Sequence, residues 1–168
     1  VGVTSPGDVM RSYVGRLDRL AARTGDGPVN TDDNGWLEHH APLDVVRGGW
    51  KADFGSADLS YATVLPNSAR DANFTRAILA RVTGNGANFD GAILGVSRAQ
   101  GANFTGSSFV GAYFADADLR GATLAFANLT NANLTGANVA DTSFVGAIWN
   151  NTTCPDGTNS NSNPNCGL

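Results

Sequence analysis

Charge is what this chain has least of. Asp, Glu, Lys and Arg make up 15% of its 168 residues, against roughly 25% in an ordinary soluble domain. The charges present leave a net of −4 and a pI near 4.9, which argues against a nucleic-acid binder working through basic patches. Large apolar side chains are sparse as well: Leu, Ile, Val and Phe total 37, or 22%. That is just above the roughly 20% below which a highly charged chain reads as disordered, and here charge repulsion is weak. No run of about 18 apolar residues exists, so no membrane-spanning helix is expected. Nucleophile elbow, phosphate loop, dinucleotide fingerprint and Cys/His pair are all missing. The expectation is therefore a single non-enzymatic domain with no cofactor, no metal, no small-molecule substrate and no nucleic-acid partner.

Small residues are what the chain has instead: 24 Ala, 21 Gly and 17 Asn. Such a composition asks for a fold that packs small side chains regularly, and a repeat is present. From Ala52 onward, Ala recurs with Leu or Phe two positions later. Calling the Leu/Phe position the centre, the centres run Phe54, Leu59, Val64, Ala69, Phe74, Leu79, Gly84, Phe89, Leu94, Ala99, Phe104, Phe109, Phe114, Leu119, Leu124, Leu129, Leu134, Val139, Phe144 and Trp149. These are twenty units of five residues without an insertion, and seven of the eight Phe fall on centres.

A period of five fits neither a helix of 3.6 residues per turn nor a simple strand of period two. Within a unit, Ala and the centre are two apart and share a face, as in a short extended piece. The next two residues must turn the chain. Gly stands at the second of these in eight units between Gly86 and Gly146, suiting a turn that needs a permissive backbone. Four such sides make a square coil of twenty residues, and coils stacked at about 4.8 Å give a rod of about 24 Å. Ala and the centre point inward. The residue between them, mostly Asp, Asn, Thr or Ser, points out.

Ala57-Asp58-Leu59, Ala117-Asp118-Leu119, Ala127-Asn128-Leu129 and Ala132-Asn133-Leu134 resemble the consensus A-(D/N)-L-x-x of the pentapeptide-repeat proteins. The resemblance covers residues 52–151. It implies an all-β solenoid, a right-handed quadrilateral β-helix of about five coils; the handedness comes from the resemblance alone. Units at Asn67/Ala69, Val82/Gly84 and Ser97/Ala99 break the pattern at both inward positions. They read either as local repacking, with Val82 filling in for the side chain missing at Gly84, or as a loosened wall that a partner exploits.

Both ends of a solenoid need caps. Residues 1–51 read as a small N-terminal helical cap. Ser5 or Asp8 opens a helix in which Val9, Met10, Tyr13, Val14, Leu17, Leu20 and Ala21 recur at helical spacing. Trp36, Val45, Val46 and Trp50 would help to seal the first coil; a dimerising or partner-binding helix is the other reading. Asn30-x-Asp32-x-Asn34-Gly35 has the first half of a calcium loop, but Ala41 stands where the closing Glu belongs, so it reads as a polar turn. Glu38-His39-His40 reads as a solvated cluster. Residues 152–168 form an Asn/Ser/Pro-rich tail. Its Cys154 and Cys166, the chain's two cysteines, suit a disulfide. That bond, with a first residue Val1 as in a mature chain, points to export, periplasmic or extracellular; two free cytosolic thiols are the alternative.

For function, columns of residues twenty apart are the readable surface. Outward apolar residues gather at Ile93, Val96 and Tyr113, with Ile78 around the corner, as a candidate interaction patch. Thr63, Thr83, Asn103, Thr123 and Ser143 form a solvated ladder, and Arg81, Arg98 and Arg120 share a face with Asp58, Asp118 and Asp141. The expected function is an exported structural or protein-interaction module that binds a protein partner or itself. The alternative carried by the family resemblance is a DNA-mimicking inhibitor of gyrase. It needs dense outward carboxylates, yet residues 52–151 hold seven Asp against five Arg.

Overall fold

The computed structural model describes Lys51, residues 53–64 and residues 69–168. The expected helical cap with Val9, Tyr13, Leu17, Trp36 and Trp50, the turn at Asn30–Gly35, Glu38-His39-His40, and Asn67 of the first irregular unit all lie outside the described residues.

Parallel bridges join residues twenty apart along the whole rod, from Asp53↔Asn73 to Asn133↔Thr153. A corner every five residues and a rise every twenty make four sides per coil. Side A carries the centres Phe54, Phe74, Leu94, Phe114 and Leu134. Side B carries Leu59, Leu79, Ala99, Leu119 and Val139. Side C carries Val64, Gly84, Phe104, Leu124 and Phe144, and side D carries Ala69, Phe89, Phe109, Leu129 and Trp149.

The hydrogen bonds of one unit explain its sequence. Around Leu129, Asn128 N–H donates to Ser107 O (2.9 Å) in the coil above, and Leu129 N–H and Asn131 N–H donate to Ile148 O (2.9 Å) and Asn150 O (2.8 Å) below. Ala127 N–H closes the corner onto Leu124 O (3.0 Å). Four of the five donors are then used, and Thr130 N–H remains. The Asn128 carboxamide takes it at 3.0 Å. Asp53, Asp58, Asn73, Asn88, Asn103, Asp118, Asn133 and Asn138 do the same for the N–H two residues on. The outward Asp or Asn is thus an acceptor for the one donor the ladder leaves over, a role for which charge is not required.

The second corner residue has positive φ in every described unit, between 52° and 71°. With the closing bond of the corner, this is the sign pattern of a type II turn. Glycine is therefore suited there, but Val96 (φ 59°) and Phe126 (φ 59°) occupy the same conformation.

Inside, Ala and the centres form one continuous buried core. The small centres Ala69, Gly84 and Ala99 are each followed on the next side by a Phe: Phe74, Phe89 and Phe104. At Gly84 a Cβ would lie 3.0 Å from Phe104 Cδ1 and 3.2 Å from Phe89 Cε2, so these two rings hold the space. The expectation that Val82 fills it is corrected accordingly; Val82 is buried beside it. Phe89 meets Phe109 stacked at 4.8 Å and Phe104 edge-on at 5.3 Å. Of the inward hydroxyls, Ser107, Thr142 and Thr152 each donate to the carbonyl 23 residues earlier, whereas the buried Ser97 Oγ has no partner.

The register continues past residue 151. Thr152 takes the small inward position, Thr153 bridges Asn133, and Cys154 is an inward centre on side A with 0% exposure. The chain then folds back through an antiparallel bridge, Thr153↔Asn159. It ends in the short 3-10 turn Pro164–Gly167, which brings Cys166 to Cys154 with Cα atoms 5.3 Å apart and the disulfide formed.

Candidate functional site

Side A carries the outward apolar residues. Ile93 and Tyr113 occupy the same bridging position in successive coils and pair with each other. Both are about half exposed, at 44% and 45%, and Val96 on the following corner is 52% exposed. Tyr113 does not stand off the surface. A Cβ on Gly95 would meet its ring at 3.2 Å, so the absence of a side chain there lets the ring lie down along the side. Gly95 and Ala115 are buried as a result. Ile93, Gly95, Val96, Tyr113 and Ala115 thus make one flat apolar area, with Asn73 and Asn133 in the coils before and after it. Ile78 is only half-exposed and stands on side B, so the structure does not bring it into this area.

The patch pays in hydrogen bonding for its apolar character. Ile93 and Tyr113 stand where other units carry the Asp or Asn that takes the leftover N–H. On the same side, Asn73 accepts from Thr75 N–H and Oγ1, and Asn133 accepts from Thr135 N–H. Arg76 and Asp116 occupy the corner column of Val96, one coil before and one coil after it.

Apart from Ile78, the outward column of side B is polar, with Asp58, Arg98, Asp118 and Asn138. Asp118 receives Arg120 at 2.7 Å and Gln100 Nε2 at 2.6 Å. The Arg120 side chain foremost, with the backbone N–H of Arg120 and Gln100, holds the Asp118 carboxyl down at about 2. Arg81 lies over the Tyr61 ring, 5.9 Å from its centroid.

A second apolar group was not anticipated. Phe126 (64% exposed), Val145 (67%) and Ile148 (53%) cluster where side C turns into side D. The Phe126 ring lies over Gly146, whose Cβ would come within 2.6 Å of it. The sequence held one signal: Phe126 is the one Phe off a centre. Nearby, at the C-terminal end, Phe144 and Trp149 pair at 5.0 Å and are only partly covered. With Thr142, Asn165 and Leu168 they line an open hollow of about 450 Å³. No helix among the described residues is long and apolar enough to cross a membrane.

The pentapeptide repeats family model matches this chain in eight copies, over residues 70–95, 100–136 and 112–148. No curated protein matches the chain. Among solved structures, HetL from the cyanobacterium Nostoc, a pentapeptide repeat protein involved in regulating heterocyst differentiation, is 23% identical. The match covers 68% of this chain and 62% of HetL, with a TM-score of 0.38. A pentapeptide repeat protein from the Arabidopsis thaliana thylakoid lumen is 31% identical over 50% of this chain and 59% of its own, with a TM-score of 0.27. QnrB1, a plasmid-mediated fluoroquinolone resistance protein, is 18% identical over 59% of this chain and 56% of its own, with a TM-score of 0.30. The chain therefore spans less than two thirds of the length of each of these structures. On its five-residue units and their twenty-residue bridging register, the chain carries pentapeptide repeats, matched over residues 70–95 and 100–148.

Proposed function

We propose that this protein is a non-enzymatic, exported interaction module: a right-handed quadrilateral rod with a helical cap on its first coil, which binds a protein through side A. One observation carries the reading. Ile93, Val96 and Tyr113 stay exposed at positions where the fold favours a polar acceptor or a glycine. An apolar area kept against local preference is the ordinary mark of a contact surface. The buried, disulfide-linked Cys154 at the end of the rod supports an oxidising compartment.

DNA mimicry has less support. It requires free carboxylates spaced like phosphates, whereas Asp53, Asp58 and Asp118 accept backbone N–H groups in their own units. A photo-crosslinking residue at Tyr113 tests the proposal. Adducts with protein in the native host are expected from Tyr113 and not from Thr123 on side C. A lack of any adduct, or potent inhibition in a gyrase supercoiling assay, overturns it. Export is checked separately by fractionation, and recovery of the chain in the cytosol removes that part.

A further inference from the structure

The corner column beside the patch reads Arg76, Val96, Asp116 in three successive coils. Basic, apolar and acidic residues thus follow one another at the inter-strand spacing of about 4.8 Å. The neighbouring column on side A reads Asn73, Ile93, Tyr113. Both columns are built around an apolar residue in the coil of Leu94. Among the described residues, Arg76 and Asp116 form no ion pair within the chain; the pairs present there are Arg70–Asp71 and Arg120–Asp118.

We infer that side A pairs with side A of a second copy, the two rods antiparallel, about a two-fold axis in the interface at the level of Ile93 and Val96. The inference rests on the reading of side A as a protein-contact surface and names its partner. Such an axis keeps each column opposite itself and reverses its direction. Val96 then meets Val96 of the other copy, and Ile93 meets Ile93. Arg76 meets Asp116 twice over, and Tyr113 meets Asn73. Asp53, the remaining charge in the bridging column of side A, falls opposite Asn133, so no like charges are brought together along that column. The pattern is self-complementary in the manner a two-fold contact demands. In a parallel arrangement with the two-fold running along this corner column, Arg76 faces Arg76 and Asp116 faces Asp116, which is repulsive. The apolar area, three half-exposed side chains on a flat side, is well below the roughly 800 Å² per partner of a standard interface. The contact is accordingly weak and concentration-dependent, and its charge pairs make it sensitive to salt.

Sedimentation velocity on the full chain over a wide concentration range tests this. The expected result is a reversible monomer–dimer equilibrium, weakened at high salt. Arg76→Asp and Asp116→Arg should each raise the dissociation constant at least tenfold. The double variant R76D/D116R should restore it, because reversing both charges rebuilds both pairs. Folding is not at issue in these variants, since Arg81 and Asp141 already occupy corner positions of the same conformation; thermal unfolding verifies it. A strict monomer at high concentration overturns the inference. So does a dimer indifferent to the single substitutions, or a double variant that fails to recover. If the chain is monomeric while Tyr113 still crosslinks to a different protein, self-pairing is overturned and the interaction reading survives. The absence of both self-association and adducts removes the two together.

Discussion

At the scale of single residues, the second corner position is where the fold is most demanding. Every L-residue there accepts the left-handed backbone at a cost of about 1–2 kcal/mol, partly offset by the greater freedom a glycine would have in the unfolded chain. Val96, β-branched and at φ 59°, is among the residues least suited to this conformation. Val96→Gly is expected to stabilise the folded chain by about 1 kcal/mol, raising the midpoint of thermal unfolding by a few degrees. Denaturant titration checks it, and a loss of stability would contradict the turn geometry. Asp118 provides the residue-scale pH effect. Its carboxyl is held at about 2 by Arg120 and Gln100, below the usual range near 3.9. A depressed folded-state pKa contributes stability that is present above the unfolded value and lost as pH falls toward 2. Thermal midpoints measured between pH 5 and pH 2 should fall more steeply in the native chain than in Asp118→Asn.

At the scale of the five-residue unit, the sequence was legible because each position has one dominant task. The inward pair follows from the spacing of Ala52-x-Phe54 and its repeats, and the corner from Gly86 to Gly146. The outward Asn and Asp were less legible. From the sequence they read only as polar residues pointing out, whereas Asn128 and its equivalents accept the one backbone N–H their unit leaves over. That role depends on which donor the ladder leaves over, and a count of residue types does not show it. The irregular units were ambiguous for a related reason. Whether Gly84 leaves a void depends on rings one side further along and one coil further on, Phe89 and Phe104. Gly84→Ala therefore places a methyl group against aromatic carbons in a filled core, and a destabilisation of about 1–3 kcal/mol is expected. Urea unfolding checks this; a neutral outcome would show that the rings can yield.

At the scale of the whole molecule, the parallel bridges of the described residues join each coil to the next. The ends of the rod are thus where stability is decided. The inward residues of the last coil, Val139, Phe144, Ala147 and Trp149, are only partly covered, and the tail that crosses them is tied down by Cys154–Cys166. Replacing Cys166 with Ser is expected to cost about 3 kcal/mol, as a loop of this length implies. Trp149 fluorescence should shift to the red as the tail loosens. Unchanged emission with unchanged unfolding would mean the tail holds without its bond. The sequence pointed to this pair of cysteines but not to where they sit. Residue 154 looked like part of a polar tail because Thr152 and Cys154 replace the usual Ala and Leu, although the five-residue count reaches them without a gap.

The bridging register has one more consequence, concerning how such a chain can change length. A single inserted or lost residue would turn every later inward side chain outward, so length is free to vary only in whole fives. Removing residues 112–131 would delete one coil and leave every other column aligned, giving a shorter rod with the same four faces. Removing only five would act as a quarter-turn: the remaining units would stay stacked, but what had been side B below the cut would continue beneath side A. The fold in this way behaves as a combination lock of four positions, in which small deletions rotate whole surfaces past one another without disturbing the core.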